Sequence, residues 1–132
     1  MRTWTVLALL LLTSALLFAQ TSDSEWAGSW AGTWNGESGG SGELRMKLSK
    51  SGDQWKAEAD FSLSGADVPC VVKSLKIDGD KLEIEYDFEL QGYKVTSKLT
   101  GTRKDKTMEG TYKTTGPDSS PVDTGKWKLA LK

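Results

Sequence analysis

From Trp30 to the end of the chain, apolar and polar residues alternate with a period of two. The runs are short and broken by clusters of Gly, Asp, Asn, Ser and Pro. Successive side chains of a β-strand point to opposite faces, so this period describes ribbons that are apolar on one side and wet on the other. No stretch carries the 3.6-residue period of an amphipathic helix. The expected fold is therefore all-β. Eight runs qualify as strands, at 29–37, 43–50, 54–63, 69–77, 81–90, 93–103, 106–115 and 123–131, with longer loops at 38–42, 64–68 and 116–122.

Pairing tests the assignment, because a correct register must match faces across neighbouring strands. A two-residue turn at Gln91-Gly92 sets Leu90 opposite Tyr93, Phe88 opposite Val95, Tyr86 opposite Ser97 and Ile84 opposite Leu99. On the other face it sets Glu89 opposite Lys94 and Glu85 opposite Lys98. Similar turns at Ser51-Gly52, Asp78-Gly79 and Lys104-Asp105 predict Leu48 opposite Trp55, Leu75 opposite Leu82, and Ser97 opposite Tyr112. Short connections make strands that are neighbours in sequence neighbours in space. Eight strands joined up and down can close into a barrel and leave no free edge. Glycines two residues from Trp34, Tyr112 and Trp127 (Gly32, Gly110 and Gly125) are expected to make room for the rings. A two-sheet sandwich is the competing fold, but its crossovers need longer loops than these.

The first residues read differently. Met1-Arg2, an apolar run to Phe18, and a small residue at Ala19 have the order of a secretory signal peptide. The run contains Thr13 and Ser14 and falls short of the roughly 20 apolar residues that span a bilayer. The predicted organisation is a signal peptide at 1–19, a flexible lead-in at 20–28 and a barrel domain at 29–132. The mature protein is expected to be secreted or periplasmic, without membrane insertion. Arg2 is the one charged residue of the signal, so 16 basic and 18 acidic residues remain. That mixed surface argues against nucleic acid as a partner. Cys70 is the only cysteine, so no internal disulfide can form; it reads as a small buried hydrophobe.

The chain has no histidine, which removes the commonest general base and the commonest metal ligand. No Gly-x-Ser-x-Gly elbow is present. Asp78-Gly79-Asp80 lacks the rest of a calcium loop and reads as a turn. The row Glu83, Glu85, Asp87 and Glu89 reads as a solvated face opposite lysines. The expectation is no enzyme, no catalytic residue, no metal and no cofactor. Two features suggest binding. Tyr86, Ser97 and Tyr112 are expected side by side on the inner face, with Lys73 beside Ile84, as a few polar groups in an apolar lining. Trp26, Trp30 and Trp34 form an aromatic cluster in which Trp34 plugs one end of the barrel and the other two cover it; exposed, they would suit a sugar or protein contact.

Gly32-Thr33-Trp34 opens the domain and Gly125-Lys126-Trp127 closes it. Between them come Ile77-Asp78-Gly79-Asp80-Lys81-Leu82, Leu99-Thr100-Gly101-Thr102 and Met108-Glu109-Gly110-Thr111. This succession resembles a group of small secreted bacterial domains with a lipocalin-like (calycin-type) barrel, over nearly all of residues 30–131. Lys104-Asp105 departs from the Gly-Asp that the group tends to carry. The opening also resembles that of avidins, but their inner biotin-binding tryptophans have no counterpart in mid-chain. The resemblance implies fold and location and brings no activity with it. The leading expectation is a non-enzymatic barrel binding a small apolar or amphipathic ligand, with Trp34, Tyr86, Tyr93, Ser97 and Tyr112 lining the site. The alternative is a packed module that binds an envelope or secreted protein through its surface.

Overall fold

A computed structural model describes residues 25–132. The expected signal peptide at 1–19 and residues 20–24 of the expected lead-in lie outside them. Eight strands follow in order: β1 (Gly28–Gly36), β2 (Ser41–Ser51), β3 (Gln54–Leu63), β4 (Ala66–Asp78), β5 (Lys81–Leu90), β6 (Tyr93–Lys104), β7 (Thr107–Thr115) and β8 (Pro121–Leu131). Each pairs antiparallel with its chain neighbours, and β8 returns to β1 to close an up-and-down barrel. The inner face is the predicted one. Leu82, Ile84, Tyr86 and Phe88 on β5, and Val95, Ser97 and Leu99 on β6, are all buried.

The Gln91-Gly92 hairpin has the predicted register at every pair. The other three hairpins are displaced by two residues. Leu48 faces Ala57, Leu75 faces Ile84, and Ser97 faces Thr114 while Tyr112 faces Leu99. The cause lies in the turns. Gly52 and Gly79 have φ of 62° and occupy the first central position, before Asp53 and Asp80, as a type II′ turn requires. Asp105, with φ of 55°, takes that place before Lys106. Moving a turn by one residue moves the pairing by two and leaves every face unchanged. The expected 64–68 loop is a tight turn at Ser64-Gly65, both with positive φ, and β4 begins at Ala66.

The Trp127 ring lies across Gly110 and reaches Gly101, where a Cβ would collide with it. The rings therefore use glycines of neighbouring strands, more than those of their own strand. On the outer wall, lysines reach the carboxylate diagonal to their partner: Lys98 binds Glu83 at 2.9 Å and Lys94 approaches Asp87 at 3.4 Å. Arg45 gathers Glu43, Asp60 and Asp67 within 3.1 Å.

One correction concerns Lys73. Pairing between β4 and β5 shifts between Val72 and Ser74, so Lys73 sits in a bulge. An extra residue turns the strand locally, and Lys73 points outward with its Nζ 3.9 Å from Asp87. It does not stand beside Ile84 inside the barrel. β4 also parts from β3 near here, since the two pair only through Ala59–Leu63 and Ala66–Cys70.

The two ends differ. At the end carrying the turns 52–53, 79–80 and 105–106, Trp26 and Trp30 are each 1% exposed. Trp26 Nε1 donates to the Gly79 carbonyl at 3.1 Å, and Trp30 Nε1 donates to the Trp26 carbonyl at 3.0 Å. The Arg103 guanidinium lies 5.2 Å from the centre of the Trp26 ring and binds Glu25 at 2.8 Å. This end is sealed. Trp34 stands at the other end, so the three tryptophans are not one cluster, and Trp26 and Trp30 are not exposed for a sugar or protein.

Candidate ligand-binding site

The end opposite the plug holds a cavity of about 170 Å³. It reaches from Leu99 and Trp127 in the interior to Ser38, Gly40 and Val122 at the rim. An apolar cavity of about 150 Å³ is large enough for benzene, whereas sites for drug-sized molecules run to roughly 300–1,000 Å³. The space therefore suits one ring or a short chain.

Its walls follow from strand alternation. Inward positions of β1, β3, β5 and β7 bring aromatic rings into successive edge contacts. Trp34 meets Tyr112 at 6.2 Å and Phe61 at 6.0 Å, with interplanar angles of 83° and 89°. Phe61 meets Phe88 at 4.8 Å, and Phe88 meets Tyr86 at 6.1 Å. Edge-to-face contacts of this kind hold rings in fixed orientations. Trp34 is fixed further by its Nε1, which donates to the Ser62 carbonyl at 3.1 Å.

Four polar features interrupt the apolar lining. Ser97 and Thr114 are buried and share a hydrogen bond of 2.6 Å. Tyr112 Oη donates to Asp123 Oδ2 at 2.9 Å. Asp123 Oδ1 accepts from the Ser38 hydroxyl at 2.8 Å and the Ser38 amide at 3.2 Å. Tyr86 is 5% exposed, and among the described residues its hydroxyl has no hydrogen-bond partner. That hydroxyl is not an enclosed atom and opens on the cavity; the buried side-chain polar atom without a partner among the described residues is Arg103 Nε, at the sealed end.

These environments shift the acids in different directions. Burial, followed by the hydrogen bond to Asp123, raises the Tyr112 phenol well above its usual range. Burial does the same for Tyr86, with smaller effects from Cys70 and Tyr112. Partial burial would raise the Asp123 carboxyl, but hydrogen bonds from Ser38 and Tyr112 outweigh it and hold the group below its usual range. Asp123 is thus a fixed negative charge at the rim. Cys70, pushed up to about 12 mainly by burial, is a thiol and not a thiolate at neutral pH.

Trp34, Tyr86, Ser97 and Tyr112 all line this cavity. Tyr93 does not: at the start of β6 it shares the parity of Val95 and Ser97 but lies at the strand's exposed end, 66% exposed. Tyr112 stands one pair along from Ser97, and Thr114 takes the expected place beside it. Thr114 and Asp123 were missed as site residues, although both share the inward parity of their strands, with Tyr112 and Trp127 respectively. Phe61 and Phe88 read as core in the sequence, and here core and pocket wall are one surface. Among the described residues no three His, Cys, Asp or Glu side chains are grouped to hold a metal ion. No protein-family model matches the chain, and no curated protein matches it.

Proposed function

We propose that this is a secreted or periplasmic, non-enzymatic, lipocalin-like barrel that takes a small apolar or amphipathic molecule into the cavity at its unsealed end. The observation that carries the reading is the asymmetry of the barrel. One end is plugged by Trp26, Trp30 and Arg103, while the other keeps an aromatic-lined space of about 170 Å³ with a few polar groups. Pockets for small ligands combine such a lining with sparse polar contacts. The lack of histidine in the chain supports binding over catalysis.

Intact and native mass spectrometry of the protein purified from its own host tests this. The expected result is a chain beginning at Gln20 that carries a small molecule. Tyr112→Ala should lose that molecule and remain folded by circular dichroism. A captured molecule held equally well by Tyr112→Ala and Tyr86→Ala would end the pocket reading.

One observation favours the alternative, a module that binds another envelope or secreted protein. Below Ala59 and beyond Cys70, β3 and β4 separate, leaving backbone unpaired along a cleft lined by Trp55, Ala57, Val72 and Leu75. Unpaired strand edges accept added strands. A co-purifying protein lost on substituting Val72→Lys would support that reading over the first.

A further inference from the structure

We infer that the molecule taken into the cavity carries a positive charge: a small aromatic or short aliphatic amine, with its apolar part inside and its ammonium group at Asp123. This rests on the cavity being a binding site and adds the chemistry of its occupant.

Asp123 is the one charged residue among those that line the space. Its carboxylate is positioned from three sides, by the Ser38 hydroxyl at 2.8 Å, the Ser38 amide at 3.2 Å and Tyr112 Oη at 2.9 Å. All three contacts are neutral donors. No described Lys or Arg pairs with it. The two loops framing this end, 37–40 and 116–120, carry Glu37 and Asp118 and no basic residue. The turns Ser64-Gly65 and Gln91-Gly92 are uncharged. The loops at the mouth therefore add acidic and no basic groups around Asp123.

An apolar group entering the cavity strips water from this carboxylate, and a cation on the same molecule compensates for that loss. An anionic amphiphile such as a fatty acid meets the opposite situation: its carboxylate would approach Asp123 with no cation to receive it.

The test uses three ligands of one size, each close to what the cavity holds: benzylamine, benzyl alcohol and benzoate. They are titrated at pH 7 and low salt into the mature protein and followed by the Trp34 indole resonance in two-dimensional NMR. Benzylamine, a cation at this pH, is expected to bind at least tenfold tighter than benzyl alcohol, with benzoate weakest. Asp123→Asn should bring the first two within about twofold, a change in line with the loss of a charge-assisted contact. Equal affinity of benzylamine and benzyl alcohol for the native protein would overturn the inference and leave the pocket standing. Failure of all three to bind up to their solubility limits would overturn both. The series on the native protein decides the question even if Asp123→Asn does not fold.

Discussion

Two hydroxyls face the cavity in different circumstances, and removing each should have a different effect on the ligand-free protein. The Ser97 hydroxyl is bonded to Thr114 at 2.6 Å, deep enough that both residues are at most 5% exposed. Ser97→Ala leaves Thr114 buried without its partner, at a cost of about 1–3 kcal/mol. Tyr86 is equally buried, but its hydroxyl has no partner among the described residues. That hydroxyl opens on the cavity and is not an enclosed atom, so Tyr86→Phe breaks no hydrogen bond within the protein and keeps the ring contact with Phe88. The expected change in stability is within about 0.5 kcal/mol of zero. The two variants should differ by about 1–3 kcal/mol, or on the order of 10 °C in Tm for a domain of this size. Urea unfolding followed by far-ultraviolet circular dichroism measures both. A Tyr86→Phe protein destabilised as much as Ser97→Ala would refute the reasoning, because it would mean that the phenol oxygen is satisfied and has nothing to offer a ligand.

Trp26→Ala should cost about 3–5 kcal/mol, since it removes a fully buried ring and uncovers Arg103 and the Gly79 carbonyl; a loss below about 1 kcal/mol in urea titration would show that the sealed end does not need this plug. Stability should also decline in alkali. Burial above all raises Cys70, Tyr86 and Tyr112 in the folded state, so the unfolded chain releases these protons first. Their contribution is complete below about pH 8, begins to fall with the unfolded-state ionisation of Cys70, and is lost as pH rises through the folded values, at about 1.4 kcal/mol per pH unit for each group involved. Cys70→Ser should move the onset upward, and a urea midpoint constant to pH 11 would contradict the assignment.

Much of the fold was legible because alternation is a local property. The run Leu82, Ile84, Tyr86, Phe88 names its inner face by itself, and the matching parity of Val95, Ser97 and Leu99 makes the pair self-consistent. The same property hid the registers of three hairpins. Asp78-Gly79-Asp80 contains both an Asp-Gly and a Gly-Asp turn, and both put Leu75 on the inner face. Lys104-Asp105-Lys106 poses the same choice between β6 and β7, and which turn forms there decides whether Ser97 meets Tyr112 or Thr114, and so which polar pair lies in the cavity. The bulge at Lys73 likewise breaks parity where no glycine or proline marks it.

What the chain by itself determined is which side of each ribbon is apolar, how many ribbons there are, and that they can close on themselves. What the tertiary structure alone decided is which end is sealed. That depends on Arg103 and Gly79 meeting Trp26 from far along the chain, and on Tyr112, Ser38 and Asp123 meeting at the opposite rim. The physical reason is that a repeating two-residue pattern records direction and not distance. It tells a side chain which way to face, and only closure of the barrel tells it what it will face.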